Sequence, residues 1–227
     1  MIFKKTIALI GKEKFQKLSQ KTVLVVGLGG VGGHAAESLV RSGIGKMIIV
    51  DHDIVDETNI NRQIIALNST IALPKTAVME KRLLDINPAL KLITYQTFYD
   101  LNTKAMIFNH QIDYVVDAID TVTYKTDIIK ECLNRKIAFI SVMGTGNKLH
   151  PELLEISEIT KTSYDPLAKI VRSNLRKAGI SGKVPVVYSK EQPYSEKNPD
   201  RSVASIAYVP SVAGILAASY IINKIIE

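Results

Sequence analysis

The stretch that decides the fold is Thr22-Val23-Leu24-Val25-Val26-Gly27-Leu28-Gly29-Gly30-Val31-Gly32. Its first five residues form an unbroken apolar run, as a buried parallel strand requires, and the run stops at Gly27. GxGxxG follows, and His34–Arg41 reads as a helix. In such a strand–loop–helix unit Gly27 permits the tight turn, Gly29 lets a phosphate approach the backbone, and Gly32 allows close helix–strand packing. Gly30 lies in the same loop. The helix N-terminus then offers free N–H groups and a positive dipole end to phosphate oxygens.

Outward from this loop the chain alternates strand and helix. Met47–Val50 is a strand ending at Asp51, Lys75–Ile86 a helix halted by Asn87-Pro88, and Leu92–Tyr95 a strand. Thr103–Phe108 and Thr123–Asn134 read as helices. Tyr114–Ile119 and Ile137–Val142 read as strands, the second running into Gly144-Thr145-Gly146. Beyond residue 147 a helix is expected over Pro166–Ala178, strands over Val184–Tyr188 and Ser205–Val209, and a closing helix over Ser211–Ile226. The polar stretch Ser189–Ser202 reads as a loop. This order implies an α/β fold: a Rossmann-like, mostly parallel sheet with helices on both faces, the C-terminal part extending the sheet. One domain spans 1–227, with an N-terminal helical segment (1–20), a nucleotide-binding core (21–146) and a substrate-facing part (147–227).

Bulk composition fits a soluble globular protein with a real core. Of 227 residues 46% are hydrophobic and 22% charged. Cys132 is the lone cysteine, which removes any disulfide framework or paired-cysteine zinc clip and fits a reducing, cytoplasmic setting. The Lys-rich first twenty residues lack the apolar core of a signal peptide. The uncharged run Ser202–Asn223 is broken by Pro210 and dotted with Ser and Tyr, so a buried strand and core helix explain it better than a membrane span.

Asp51 ends the second strand, where an acid accepts hydrogen bonds from ribose hydroxyls or caps the following loop. The glycines and Asp51 serve NAD and ATP equally. The next segment separates them: Asp51-His52-Asp53-Ile54-Val55-Asp56-Glu57-Thr58-Asn59-Ile60-Asn61-Arg62-Gln63, then Leu73-Pro74-Lys75, then Ala118-Ile119-Asp120. Hydride transfer has no need of a fixed Arg and Lys at the phosphates. Displacing pyrophosphate does, because charge builds on the β- and γ-phosphates as the α-phosphorus is attacked. Asp120, at a strand's carboxyl end, is placed to hold Mg²⁺.

The series GLGGVGG, D-x-D-x-V-x-x-T-N-x-N-R-Q, PK and AID resembles the ubiquitin-activating-enzyme-like adenylating superfamily of the ThiF/MoeB type. The resemblance implies ATP and Mg²⁺ as cofactors, with Asp51 on the ribose, Asn59, Arg62 and Lys75 on the phosphates, Gln63 and Asp53 supporting them, and Asp120 as magnesium ligand. Asp165-Pro166-Leu167-Ala168-Lys169, Val171-Arg172, Leu175-Arg176-Lys177, Gly179-Ile180 and Val187-Tyr188-Ser189 are similar to the branch that dehydrates threonylcarbamoyladenosine in tRNA. That branch implies adenylation of a threonyl carboxylate, ring closure with loss of AMP, a homodimer, and room for a sulfur-relay protein. Two positions depart from the pattern. Lys5 stands where relatives carry an N-terminal Arg, and Thr121 follows Asp120 where sulfur-carrier activators have Asn.

Charge agrees with an RNA substrate. The net charge is +7, and between Lys161 and Lys190 seven Lys/Arg face one acid, Asp165. On the helix 166–178, Leu167, Ile170, Val171, Leu175 and Ala178 are expected to face inward and Lys169, Arg172, Arg176 and Lys177 outward, toward a tRNA anticodon stem-loop. Cys132 reads as a buried thiol. His34, His52, His110 and His150 have no metal-ligand spacing, so no zinc is expected. Alternatives from other classes are adenylation of a sulfur-carrier protein's C-terminus, an NAD-dependent oxidoreductase, and a non-catalytic nucleotide- or RNA-binding scaffold.

Overall fold

A computed structural model describes residues 2–180, 182–194 and 203–227. Two short helices, α1 (Lys4–Ile10) and α2 (Lys12–Gln20), precede the sheet. The elements β1 (Thr22–Val26), α3 (Gly32–Ser42), β2 (Lys46–Val50), α4 (Lys75–Ile86), β3 (Lys91–Tyr95), α5 (Lys104–Ile107), β4 (Tyr114–Asp117), α6 (Val122–Arg135) and β5 (Ala138–Val142) then alternate. The chain closes with β6 (Leu154–Glu158), α7 (Pro166–Lys177), β7 (Pro185–Ser189) and α8 (Tyr208–Ile226).

One seven-stranded sheet runs in the order β3-β2-β1-β4-β5-β7-β6, every pair parallel except β6 with β7. The strand order reverses between β1 and β4, which opens a crevice at their carboxyl ends. The C-terminal part extends the sheet, as expected. Alternate residues of β1 and β2 serve opposite faces. Val23, Val25, Met47 and Ile49 pack with α3, α4 and α8, while Leu24, Val26, Ile48 and Val50 pack with α6 and α7. Each such side chain contributes roughly 1.5–3 kcal/mol by leaving water.

Three expectations are corrected. Ser205–Val209 is not a strand: residues 203–206 are irregular, and α8 already starts at Tyr208. Pro210 sits in that helix's first turn, where a missing N–H costs no intrahelical bond. The edge strand β6 was not expected, because its short, mostly part-exposed stretch Leu-Glu-Ile-Ser-Glu carries little pattern. The loop expected over 189–202 begins after Ser189, the last residue of β7, and its stretch 195–202 lies outside the described residues. Helix α8 is long and apolar enough to cross a bilayer, with mean hydropathy 1.5, but it packs along α3 and buries Val209, Ala213, Ala217 and Ile221 in the core.

Candidate active site

The crevice between β1 and β4 widens into a cavity of about 820 Å³. Gly27, Gly29, Gly30, Asp51, Asp53, Asn59, Arg62, Gln63, Lys75 and Asp120 all line it, so positions up to 93 residues apart in sequence meet at one site. Gly32 stands just behind, as the first residue of α3.

The glycine loop is built as its sequence requires. Gly27 has φ +89°, a left-handed value that penalises any side chain. A Cβ on Gly32 would lie 1.8 Å from the carbonyl oxygen of Gly27, so helix and strand approach as only glycine allows. Asp51 fixes this loop. One carboxylate oxygen accepts from the Leu28 amide at 2.6 Å and the other from the Asp53 amide at 2.8 Å. Asp51 thus performs the capping role while also lining the cavity.

The loop after Asp51 is clasped to the start of α4. Val55 N donates to Leu73 O and Lys75 N to Asp53 O, at 2.8 and 3.0 Å. The clasp brings Lys75 Nζ within 2.7 Å of the Asp53 carboxylate, a buried ammonium held against a half-exposed acid. Asn59 is buried and accepts from the Asp56 amide, closing the turn that aims the loop. Arg62 donates through Nη1 to Thr58 O at 2.8 Å and to Asn61 Oδ1 at 2.9 Å. Gln63 is buried with its Oε1 left without a hydrogen-bond partner. An unmet buried acceptor costs about 1–3 kcal/mol, so it marks a place where a ligand group would be stabilising. Among the described residues Asp120 makes no hydrogen bond or ion pair, and it is exposed three residues beyond the end of β4, which stops at Asp117, short of the expected Ile119.

Several contributors were not foreseen. On one wall, Phe98 stands edge-on to His52 at 4.6 Å and to Tyr124 at 5.1 Å, an aromatic rim beside Asp51. On the other wall, Lys148 and Asp165 are buried with Nζ and Oδ2 3.7 Å apart. Below the site Lys125 Nζ meets Asp117 Oδ2 at 2.8 Å, both fully buried, and also donates to Ser141 Oγ at 3.2 Å. Charged or polar residues inside the apolar runs of β4 and β5 were the available signal for that cluster. Phe98 and Lys148 carry no spacing signal at all.

The basic helix needs revision. Lys169, Arg176 and Lys177 are exposed on α7, but Arg172 is half-buried and donates to Ile159 O, Thr162 O and Thr162 Oγ1. It ties the helix down. The inward face is Ala168, Val171 and Leu175, whereas Ile170 is 49% exposed and Ala178 is exposed too. Cys132 is buried as expected, and burial pushes its thiol well above the ordinary range. Asp51, His52 and Asp53 bring ligand atoms within 4.8 Å of one another, but the Asp51 oxygens serve two amides and Asp53 answers Lys75.

The sequence model of the ThiF family matches residues 3–227. The chain belongs to the ThiF family. Within it, the chain is 42% identical to the tRNA threonylcarbamoyladenosine dehydratase of Bacillus subtilis, over 99% of this chain and 94% of that protein. It superposes on the Escherichia coli tRNA N6-threonylcarbamoyladenosine dehydratase in complex with ATP with a TM-score of 0.93 and 33% identity, covering 99% of this chain and 93% of that one. Identity to a ThiF-like relative of another activity, the molybdopterin-synthase adenylyltransferase of Haemophilus influenzae, is 29% over 77% of this chain and 70% of that protein.

Proposed function

We propose that this protein is an ATP-dependent dehydratase of threonylcarbamoyladenosine in tRNA. The observation that carries the reading is the continuous match to the B. subtilis enzyme, which runs over both walls of the cavity and not only the nucleotide wall. The threonyl carboxylate attacks the α-phosphorus of ATP, forming an acyl-adenylate and releasing pyrophosphate. An intramolecular nucleophile on the same base then attacks the activated carbonyl carbon, a ring closes, and AMP leaves with the carboxylate oxygen. The net change in the RNA is loss of one water.

In this reading the backbone amides at Gly27–Gly32 and the α3 terminus cradle the phosphates. Asp51 holds the ribose, with Phe98 beside it as a face for adenine. Arg62 and Lys75, with Asn59 and Gln63 behind them, meet the charge that grows on the leaving pyrophosphate. Asp53 holds the Lys75 ammonium in place. The residues fit magnesium: Asp120 is a hard oxygen donor with no other partner among the described residues, and it would hold the ion, which supplies charge neutralisation on the phosphates when bound. Lys169, Arg176 and Lys177 offer the anticodon stem-loop an exposed basic face. A homodimer belongs to the same reading, since α1 buries none of its residues and leaves Leu9 85% exposed.

Titration of the protein with ATP and with NAD tests the nucleotide assignment. Saturable binding of ATP alone, with pyrophosphate and AMP released only when modified tRNA is added, is expected. NAD binding without pyrophosphate release would overturn the reading.

A further inference from the structure

The cavity has two walls, and its cations are divided between them. Arg62 and Lys75 stand on the nucleotide wall, after β2; Lys148 stands on the opposite wall, after β5. Lys75 is committed to Asp53 at 2.7 Å, and Arg62 to Thr58 and Asn61. Lys148 is held more loosely. Its Nζ donates to Ser189 O at 3.4 Å and lies 3.7 Å from Asp165 Oδ2, contacts long for an ammonium with three donors. Its side chain is 1% exposed, yet it lines the cavity.

The backbone that presents Lys148 is pinned on every side. Asn147 adopts φ +56° and is bonded three times: its amide to Ala204 O, its carbonyl to the Tyr194 amide, and its side chain to the Ala204 amide. Just beyond, Glu191 accepts from the amides of Leu149 and His150 at 2.8 and 2.9 Å. Asp165, besides facing Lys148, accepts from the amides of Gly144 and Ala168, and so joins the β5 loop to the start of the basic helix α7. The backbone of Lys148 is therefore fixed across the cavity from the nucleotide wall, and its ammonium, buried beside Asp165, keeps hydrogen-bonding capacity to spare among the described residues.

A carboxylate approaching the α-phosphorus of ATP brings one anion toward another. It needs a counter-charge on the side away from the phosphates, because a cation on the phosphate side stabilises the nucleotide as much as the attacker. We propose that Lys148 anchors the carboxylate of the substrate, with Asp165 and Ser189 holding its ammonium in place; this rests on the adenylation reading above. Burial draws the Lys148 ammonium below its ordinary pKa, while Asp165 and Glu191 pull it back up. The charged form is under-stabilised until an anion arrives, as a substrate-carboxylate site requires.

The test compares two RNAs without ATP: tRNA carrying threonylcarbamoyladenosine, and the same tRNA with its threonyl carboxylate converted to the primary amide. The wild type should bind the carboxylate form roughly 10- to 100-fold tighter, the size of one charge-assisted hydrogen bond. Lys148→Met and Lys148→Gln should reduce that ratio to about unity while ATP affinity is retained; Gln keeps a donor but not the charge, so it also reads out should the Met variant fail to fold. If either folded variant keeps the wild-type preference, or the wild type has none, the anchor is elsewhere. If the wild type dehydrates no tRNA at all, it is the functional reading that fails.

Discussion

Lys125 Nζ lies 2.8 Å from Asp117 Oδ2 beneath the crevice, and neither residue exposes any surface to solvent. The pair holds the carboxyl end of β4 in place, since Asp117 also accepts from the Ile119 amide one residue before Asp120. Removing one partner leaves a buried charge unanswered, whereas removing both does not. Lys125→Met should therefore cost about 3–5 kcal/mol of unfolding free energy, and Lys125→Met with Asp117→Leu distinctly less. Urea midpoints of the single and double variants decide this. A double variant that loses as much as Lys125→Met, or more, would contradict this.

The glycines of the phosphate loop should separate into structural and ligand-facing positions. A Cβ at Gly32 collides with the Gly27 carbonyl, while one at Gly29 meets nothing closer than Gln63 Nε2 at 3.8 Å. Gly32→Ala is expected to lose the folded state or most of its thermal stability. Gly29→Ala should melt close to wild type and bind ATP more weakly, because its methyl projects where phosphate would approach. Paired melting curves and ATP titrations read both effects.

Among the described residues Arg62 is bonded only to one backbone carbonyl and one amide oxygen, with no carboxylate to balance it. Arg62→Ala should fold normally and lower ATP–pyrophosphate exchange on modified tRNA by about 10²–10³-fold, as loss of one transition-state donor does. Undiminished exchange would remove Arg62 from the phosphate site.

Glu37 on α3 is buried and answered by two arginines, Arg41 at 2.6 Å and Arg82 from α4. Burial alone would raise its carboxyl, but the hydrogen bonds from Arg82 and Arg41 outweigh that and bring it below the ordinary range. A lowered folded-state pKa means the stabilisation is complete above about pH 4.5 and is lost as pH falls through the folded value. Glu37→Gln should cost about 1–2 kcal/mol at pH 7, part-exposed arginines being discounted. The gap between variant and wild type should close below pH 4, as melting at a series of pH values would show. A gap that widens in acid would contradict the assignment.

What the sequence made readable is what local physics decides. The run Thr22–Val26, the turn at Gly27 and the helix Lys75–Ile86 are set by short-range hydrophobic pattern, by φ and by a proline stop, and all three stand in the structure. Ser205–Val209 was misread because apolar Ile206, Tyr208 and Val209 suit strand and buried helix equally. Contact of Pro210 with Gly30, where an added Cβ would sit 3.2 Å away, settles it as the end of α8 that closes on the phosphate loop. Asp117 on β4 and Lys125 in the first turn of α6 belong to one strand–helix unit, and Lys148–Asp165 joins the β5 loop to the start of α7; the polar residues were visible in the sequence, but only the folded chain shows which of them pair. Arg172 was misplaced for the same reason: its partners, Ile159 and Thr162, lie in another turn of the chain.

In the proposed reading this cavity activates a carboxylate on tRNA with ATP. Mass spectrometry of nucleosides from threonylcarbamoyladenosine-containing tRNA, after incubation with the protein and ATP, tests it most directly. Conversion of that nucleoside to a product lighter by one water is expected, with AMP and pyrophosphate formed in equal amounts and no conversion without ATP. An unchanged nucleoside mass, with folded protein that binds ATP, would contradict it.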